Sequence, residues 1–324
     1  MSASRPTVLL AGKVHPRVRE RVAADFDAIS IETADPALLD EDARSRIRGM
    51  AAATAISADF IDLLPNLEVI ANFGVGYDSV DAAHAATRQV MVTNTPDVLS
   101  DEVADTTVGL LLNTVRELPK AEAYLRAGRW EREGAYPLTS LSLRGRTVGI
   151  FGLGRIGLAI ARRLEAFGLP IHYHTRNKRT DVAYPWHARL IDMAAAVDTL
   201  IVVVPGGAAT EKAVNAEVLD ALGPQGVLIS VGRGTTIDEP ALIEALSDRR
   251  IAAAGLDVFA REPHVPQALI DLPNTCLLPH VASASLSTRN AMADLVVDNL
   301  AAWLAGKPAL TPVPECAGFD RKPG

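Results

Sequence analysis

Short apolar runs alternate with amphipathic stretches along almost the whole chain. Residues 7–10, 52–56 and 67–73 read as strands, 16–25 as a polar helical stretch, and 58–64 as a helical turn ended by Pro65. From 147 onward the rhythm sharpens. Strands are predicted at 147–151, 171–175, 199–204, 227–231, 253–258 and 275–278, and helices at 155–168, 190–196, 215–222 and 238–248. Strand–helix alternation of this kind predicts parallel sheets covered by helices, an α/β fold. Between the two series, Val103, Thr107, Leu110, Leu111 and Thr114 recur at helical spacing in one long helix over 101–127. Ser100 or Asp101 is placed to cap it, and Gly128 ends it. A last helix over 285–305 gathers Met292, Leu295, Val296, Asn299, Leu300 and Trp303 on one face and stops at Gly306-Lys307-Pro308. Two α/β units follow, near 1–98 and 99–282, with the last helix placed to return to the first.

Composition removes several classes of protein. The 324 residues are 48% hydrophobic and 22% charged, which excludes a disordered or collagen-like chain. The net charge of −7 argues against a nucleic-acid or other polyanion binder. The apolar run Leu200-Ile201-Val202-Val203-Val204 falls far short of the ~20 residues that span a bilayer. The opening apolar run is too short for a signal-peptide core. Cys276 and Cys316 are the two cysteines, with no framework and no metal-like spacing, so a reducing cytoplasm and no metal are expected.

One motif changes the picture. The apolar stretch Thr147-Val148-Gly149-Ile150-Phe151 runs into Gly152-Leu153-Gly154-Arg155-Ile156-Gly157, and an amphipathic helix follows. This is GxGxxG between strand and helix, the context in which it binds a dinucleotide. The first glycine makes the tight turn, the second lets pyrophosphate reach the backbone, and the third lets helix and strand pack closely. The helix N-terminus then offers unpaired N–H groups to the phosphates. At the end of the next predicted strand, an NAD site carries an acid for the ribose 2′-hydroxyl. Here Thr175-Arg176-Asn177-Lys178-Arg179 has no acid. Arg176, with Lys178 or Arg179, suits a 2′-phosphate, so NADP is expected over NAD.

Ionisable residues follow three later strands: Arg233 after 227–231, Glu262 after 253–258, and His280 after 275–278. Ligands of open α/β sheets sit at the carboxyl ends of strands, so these three form a candidate site. Together with Asn72-Phe73-Gly74-Val75-Gly76-Tyr77-Asp78, the GLGRIG turn, VGRG, GLDVFAREP and LLPH, they give the chain its resemblance to the D-isomer-specific 2-hydroxyacid dehydrogenase family. TRNKR and the tail from Met292 to Val313 are most similar to its NADPH-using glyoxylate, hydroxypyruvate and hydroxyphenylpyruvate reductases.

The resemblance implies two Rossmann-like, doubly wound domains. A cofactor domain over 99–282 would be inserted into a substrate domain of 1–98 plus 283–324. It implies reduction of a small 2-oxoacid to a D-2-hydroxyacid, with glyoxylate, hydroxypyruvate and aryl-pyruvates as candidates. His280 would be the general acid, Glu262 its partner, and Arg233 the carboxylate ligand, aided by the amides of Val75 and Gly76. Cofactor contacts would fall on Leu153, Gly154, Arg155 and Ile156, on Thr175, Arg176 and Asn177, and on Val204, Pro205, Val231, Asp257 and Ser283. A homodimer built through the helix after Ser100 is also implied, with no nucleic-acid or membrane partner. Two departures stand out: Ala282 where the family often has glycine, and Pro205-Gly206-Gly207-Ala208-Ala209-Thr210 in a usually proline-rich loop. The competing readings are an NAD-linked relative such as a phosphoglycerate dehydrogenase, and a non-catalytic cofactor sensor on the same fold.

Overall fold

Buried apolar runs become parallel strands throughout the computed structural model, which describes residues 5–319. Its strands are β1 (Thr7–Gly12), β2 (Asp27–Ile31), β3 (Ile47–Ala53), β4 (Val69–Asn72), β5 (Met91–Thr93), β6 (Val148–Phe151), β7 (Ile171–His174), β8 (Trp186–His187), β9 (Thr199–Val202), β10 (Val227–Ser230), β11 (Ala253–Leu256) and β12 (Thr275–Leu277). They form two sheets, ordered β2-β1-β3-β4-β5 and β12-β11-β10-β9-β6-β7-β8. All pairings within them are parallel. The chain divides into two compact units, residues 1–99 with 285–324 and residues 100–284.

In the first unit the order is that of a doubly wound sheet, with β1 between β2 and β3 and every residue of β1 buried. The helix Leu286–Leu304 returns to this sheet and places Ala293, Val296, Val297, Leu300, Trp303 and Leu304 in its core. Arg17 and Arg21 of the helix Pro16–Asp25 pair with Asp294 and Asp298 on it. Asn299 lies on the buried face and is fully satisfied. Its Oδ1 accepts from the Leu310 and Thr311 amides, and its Nδ2 donates to Leu295 O and Thr311 Oγ1. It fastens the chain that follows the helix, which is why a polar residue belongs on that stripe.

The second unit has the Rossmann order with one further strand, and its order reverses between β6 and β9. The glycine turn follows β6, and Val203, Val204 and Pro205 follow β9. Both therefore lie at the switch point where such sheets bind ligands.

Several local expectations are corrected. The helix over 101–127 is two helices, Ser100–Arg116 and Leu118–Arg126. Pro119 lacks an N–H and cannot continue the first, and Glu117 between them takes φ of +50°. Ser100 is the first helical residue rather than a cap. The strand placed at 52–56 is Ile47–Ala53, masked by Arg48 and by small residues that show no alternation. β2 is largely exposed, and β5 and β8 are very short, so none carries a periodic signal.

Candidate active site

The second unit brings Arg233, Asp257, Glu262 and His280 together beyond the carboxyl ends of β10, β11 and β12. Arg233 is half-buried in a segment that only glycine permits. A Cβ at Gly232 would lie 2.6 Å from the Val204 carbonyl oxygen, and one at Gly234 would lie 1.9 Å from the Phe259 carbonyl carbon. The backbone of Arg233 is thus wedged between two neighbouring strand ends. Its Nη1 donates to the Gly232 carbonyl at 3.0 Å, and the Arg233 carbonyl accepts from the Thr236 hydroxyl at 2.6 Å. Gly206 of the departed loop passes the same side chain, its Cβ position 3.3 Å from Arg233 Cγ.

His280 Nδ1 and Glu262 Oε2 are 2.6 Å apart. The other carboxylate oxygen of Glu262 accepts from the Phe259 amide at 3.0 Å. Burial pushes the Glu262 carboxyl up, but the bonds from His280 and Phe259 and the charges of His280 and Arg233 outweigh it and hold it below the ordinary glutamate range. His280 Nε2 has no partner among the described residues, so the ring presents one nitrogen for exchange.

Asp257 is fully buried. Its carboxylate accepts from the amides of Val281 at 2.7 Å and Ala282 at 2.8 Å, and its carbonyl accepts from the His280 amide at 2.9 Å. Burial raises its carboxyl against the pull of those amides. Thr106 of the helix Ser100–Arg116 donates to the Ala282 carbonyl at 3.1 Å. These bonds hold His280 at φ +53°, a left-handed conformation that is uncommon outside glycine. Ala282 is buried without a positive φ, so it does not disturb the turn. Ser283 follows it, half-buried.

In the first unit, the carbonyls of the loop after β4 are pinned by hydrogen bonds. The Gly74 carbonyl accepts from Asn72 Nδ2 at 3.2 Å and the Thr95 amide at 3.0 Å, Val75 from Asn94 Nδ2 at 2.8 Å, and Gly76 from Asn72 Nδ2 at 3.1 Å. With the carbonyls held on one side, the amides of Val75, Gly76 and Tyr77 have no acceptor among the described residues. Successive amides freed in this way suit a carboxylate. Tyr77 Oη donates to Glu315 at 3.1 Å, and burial together with that carboxylate pushes its phenol up to about 12. Asn94 and Thr106, which hold backbone at these sites, are missed by motif reading, and Asn72 is quoted only as the start of a motif, without its hydrogen bonds. The one signal is their position at strand ends or on the helix after Ser100.

At the glycine turn, Gly152 takes φ of +103°, and a Cβ on Gly157 would fall 2.2 Å from the Gly152 carbonyl oxygen. The Gly152 amide donates to His174 O at 3.0 Å, which joins the turn to the end of β7. A Cβ at Gly154 would meet nothing within 4 Å, so the backbone there is open to a ligand. Leu153, Val204 and Val231 are buried behind it, and Arg155 and Ile156 begin the helix Arg155–Glu165. In the loop after β7, the Thr175 hydroxyl donates to Asn177 O at 2.7 Å. Arg176, Asn177 and Lys178 are exposed, whereas Arg179 pairs with Asp181. The basic cluster thus carries one acid, two residues beyond the stretch in which an NAD site places it. The turn, the loop and the strand ends present what a dinucleotide requires: open backbone, a helix N-terminus and exposed cations.

Comparison with known proteins agrees with this geometry. Residues 108–282 match the family described as D-isomer specific 2-hydroxyacid dehydrogenase, NAD binding domain. The chain is 47% identical over 281 residues to a glyoxylate/hydroxypyruvate reductase A from Arabidopsis thaliana, covering 86% of this chain and 89% of the relative. It is 49% identical over 256 residues to a hydroxyphenylpyruvate reductase from Plectranthus scutellarioides, covering 79% and 81%. A crystal structure of an NADPH-dependent glyoxylate/hydroxypyruvate reductase from Sinorhizobium meliloti, in complex with NADP and malonate, superposes with a TM-score of 0.96. That protein is 61% identical, over 99% of this chain and all of its own.

Proposed function

Because the chain belongs to the D-isomer specific 2-hydroxyacid dehydrogenase family, we propose that it is an NADPH-dependent reductase of small 2-oxoacids. The substrates this reading favours are glyoxylate, hydroxypyruvate and aryl-pyruvates such as hydroxyphenylpyruvate. The observation that carries it is the His280–Glu262 pair, which leaves Nε2 as the single ring nitrogen open to a reacting oxygen.

NADPH, when bound, supplies the hydride that reaches C2 of the 2-oxoacid. His280 Nε2 delivers a proton to the carbonyl oxygen as the charge develops there, and Glu262 keeps the ring oriented and supports its positive form. Arg233 holds the substrate carboxylate and draws electron density from the adjacent carbonyl. In the first unit, the acceptor-free amides of Val75 and Gly76 are donors suited to a carboxylate. Gly154, Arg155 and Ile156 hold the pyrophosphate, with Leu153 behind them. Thr175, Arg176 and Asn177 surround the 2′-phosphate, and the exposed guanidinium of Arg176 favours NADPH over NADH. Val204, Pro205, Val231 and Ser283 line the cofactor. Asp257, whose carboxylate has lone pairs beyond those given to the Val281 and Ala282 amides, accepts from the cofactor carboxamide. The second unit is the cofactor-binding domain in this account, and the first, with the last helix, binds substrate.

We also assign a homodimer in the cytoplasm. Leu118, Leu125, Trp130 and Leu138 are exposed, Leu138 at 99%, in the stretch following the helix Ser100–Arg116, and this apolar surface supports self-association. Both cysteines are free, and no helix among the described residues is long and apolar enough to cross a membrane. Turnover tests the whole reading: 2-oxoacids of increasing size are offered with NADPH and with NADH. Efficient reduction with NADPH supports it, a preference for NADH rejects the cofactor assignment, and no turnover with either cofactor rejects the enzyme.

A further inference from the structure

Arg179 stands in the basic segment TRNKR but is not available as the others are. Its Nη1 donates to the Leu153 carbonyl at 2.8 Å, inside the glycine turn, and its Nε donates to Asp181 at 2.9 Å, with Nη2 on the other oxygen of that carboxylate. Its backbone is fixed as well. The Arg179 amide donates to Tyr173 Oη at 2.9 Å, and Tyr173 is a fully buried residue of β7. Arg176 and Lys178 are exposed and have no hydrogen bond or ion pair among the described residues.

Peptide geometry gives the Leu153 contact its meaning. In a trans peptide the carbonyl and the following N–H point in opposite directions. A guanidinium that fixes the Leu153 carbonyl therefore also fixes the Gly154 N–H, aimed away from Arg179. That N–H has no acceptor among the described residues, and a Cβ at Gly154 would meet nothing within 4 Å. It is the amide the glycine motif offers to a pyrophosphate. Asp181 meanwhile neutralises Arg179, so this residue adds little attraction for a further phosphate.

We infer that the basic segment is divided between two tasks. Arg176 and Lys178 recognise the 2′-phosphate, whereas Arg179 is a positioning residue that orients the pyrophosphate-binding peptide from behind. This rests on the dinucleotide-binding reading above but does not depend on which dinucleotide is preferred. Arg179 serves NADP and NAD alike, because both carry the pyrophosphate.

The test is direct binding of NADP⁺ and of NAD⁺ to the full chain by titration calorimetry, with thermal denaturation of each variant alongside. Arg176→Ala should weaken NADP⁺ and leave NAD⁺ unchanged. Arg179→Ala should weaken both by a similar factor, about tenfold, the order expected for one charge-assisted bond. Arg179→Lys, which can reach the Leu153 carbonyl with one donor, should recover part of both affinities, and it replaces the alanine variant should that fail to fold. A loss at Arg179 confined to NADP⁺ would make it a phosphate ligand and overturn the inference, as would no loss for either dinucleotide. Wild-type protein that binds NAD⁺ as tightly as NADP⁺ would defeat the NADPH preference, yet the equal losses at Arg179 would still stand.

Discussion

His280 spends Nδ1 on Glu262 and its backbone amide on Asp257, so Nε2 alone is left to exchange a proton. His280→Asn should therefore lower kcat by on the order of 10²–10⁴-fold, the range for losing a general acid. Cofactor affinity should stay near wild type; a wild-type kcat would reject the assignment. Glu262 gives a pH prediction. Its folded pKa is depressed, so the stabilisation it gains from His280 is complete above the unfolded glutamate value and is lost as pH falls through the lower, folded one. Activity should accordingly hold through mildly acidic solution and fall on this account only below the ordinary glutamate range of about 4.3. Glu262→Gln should lower kcat at neutral pH and remove that acid-side fall. A pH–rate profile that keeps the wild-type acid limb would show that another group titrates. Arg233, Glu262 and His280 are legible as candidates because each lies a few residues past an apolar strand, and their roles come from the resemblance. Asn94 and Thr106 are not, because they act on backbone groups whose direction no residue pattern encodes. Arg179 is legible as a cation but not as an engaged one, since Leu153 and Asp181 meet it only in the folded loop.

The turn of residues 279–284 shows how an element is held for function. Asp257 supplies acceptors to two of its amides, and Thr106 supplies a donor to one of its carbonyls. Asp257→Asn keeps the shape but turns one acceptor into a donor. One buried amide is then unpaired, a cost of about 1–3 kcal/mol. Thermal denaturation should show a lower Tm, and kcat should fall with it as His280 loses its fixed backbone. An unchanged Tm and kcat would show that the turn does not need the carboxylate. Strands with long apolar runs, such as β6, β9 and β10, are read correctly because burial on both faces leaves an unbroken signal. β2, β5 and β8 escape because exposure or brevity erases it. The long helix is misread for a different reason. Its apolar period continues past Arg116, and only Pro119 marks the break.

At the scale of the whole molecule, the chain leaves its first unit at residue 99 and returns at 285. Periodicity alone reveals two α/β units and a last helix out of sequence. The resemblance supplies the insertion, because no local pattern records which sheet a distant helix covers. The net charge of −7 gives an anionic substrate and an anionic cofactor no overall help, so attraction has to be local, and the proposed points for it are Arg233 and Arg176. The exposed apolar side chains between Leu118 and Leu138 predict self-association. Light scattering should give twice the mass of the 34.4 kDa chain, and Leu138→Asp should shift the population toward the monomer. A wild-type monomer at micromolar concentration would remove the dimer from the account. Whether these residues reduce a 2-oxoacid with NADPH is tested by NADPH oxidation followed by absorbance with glyoxylate, hydroxypyruvate and phenylpyruvate. Oxidation should be steady, depend on the 2-oxoacid, form one D-2-hydroxyacid per NADPH, and be lost in His280→Asn. Wild-type protein that binds NADPH but oxidises none of it with any small 2-oxoacid would contradict the proposed function.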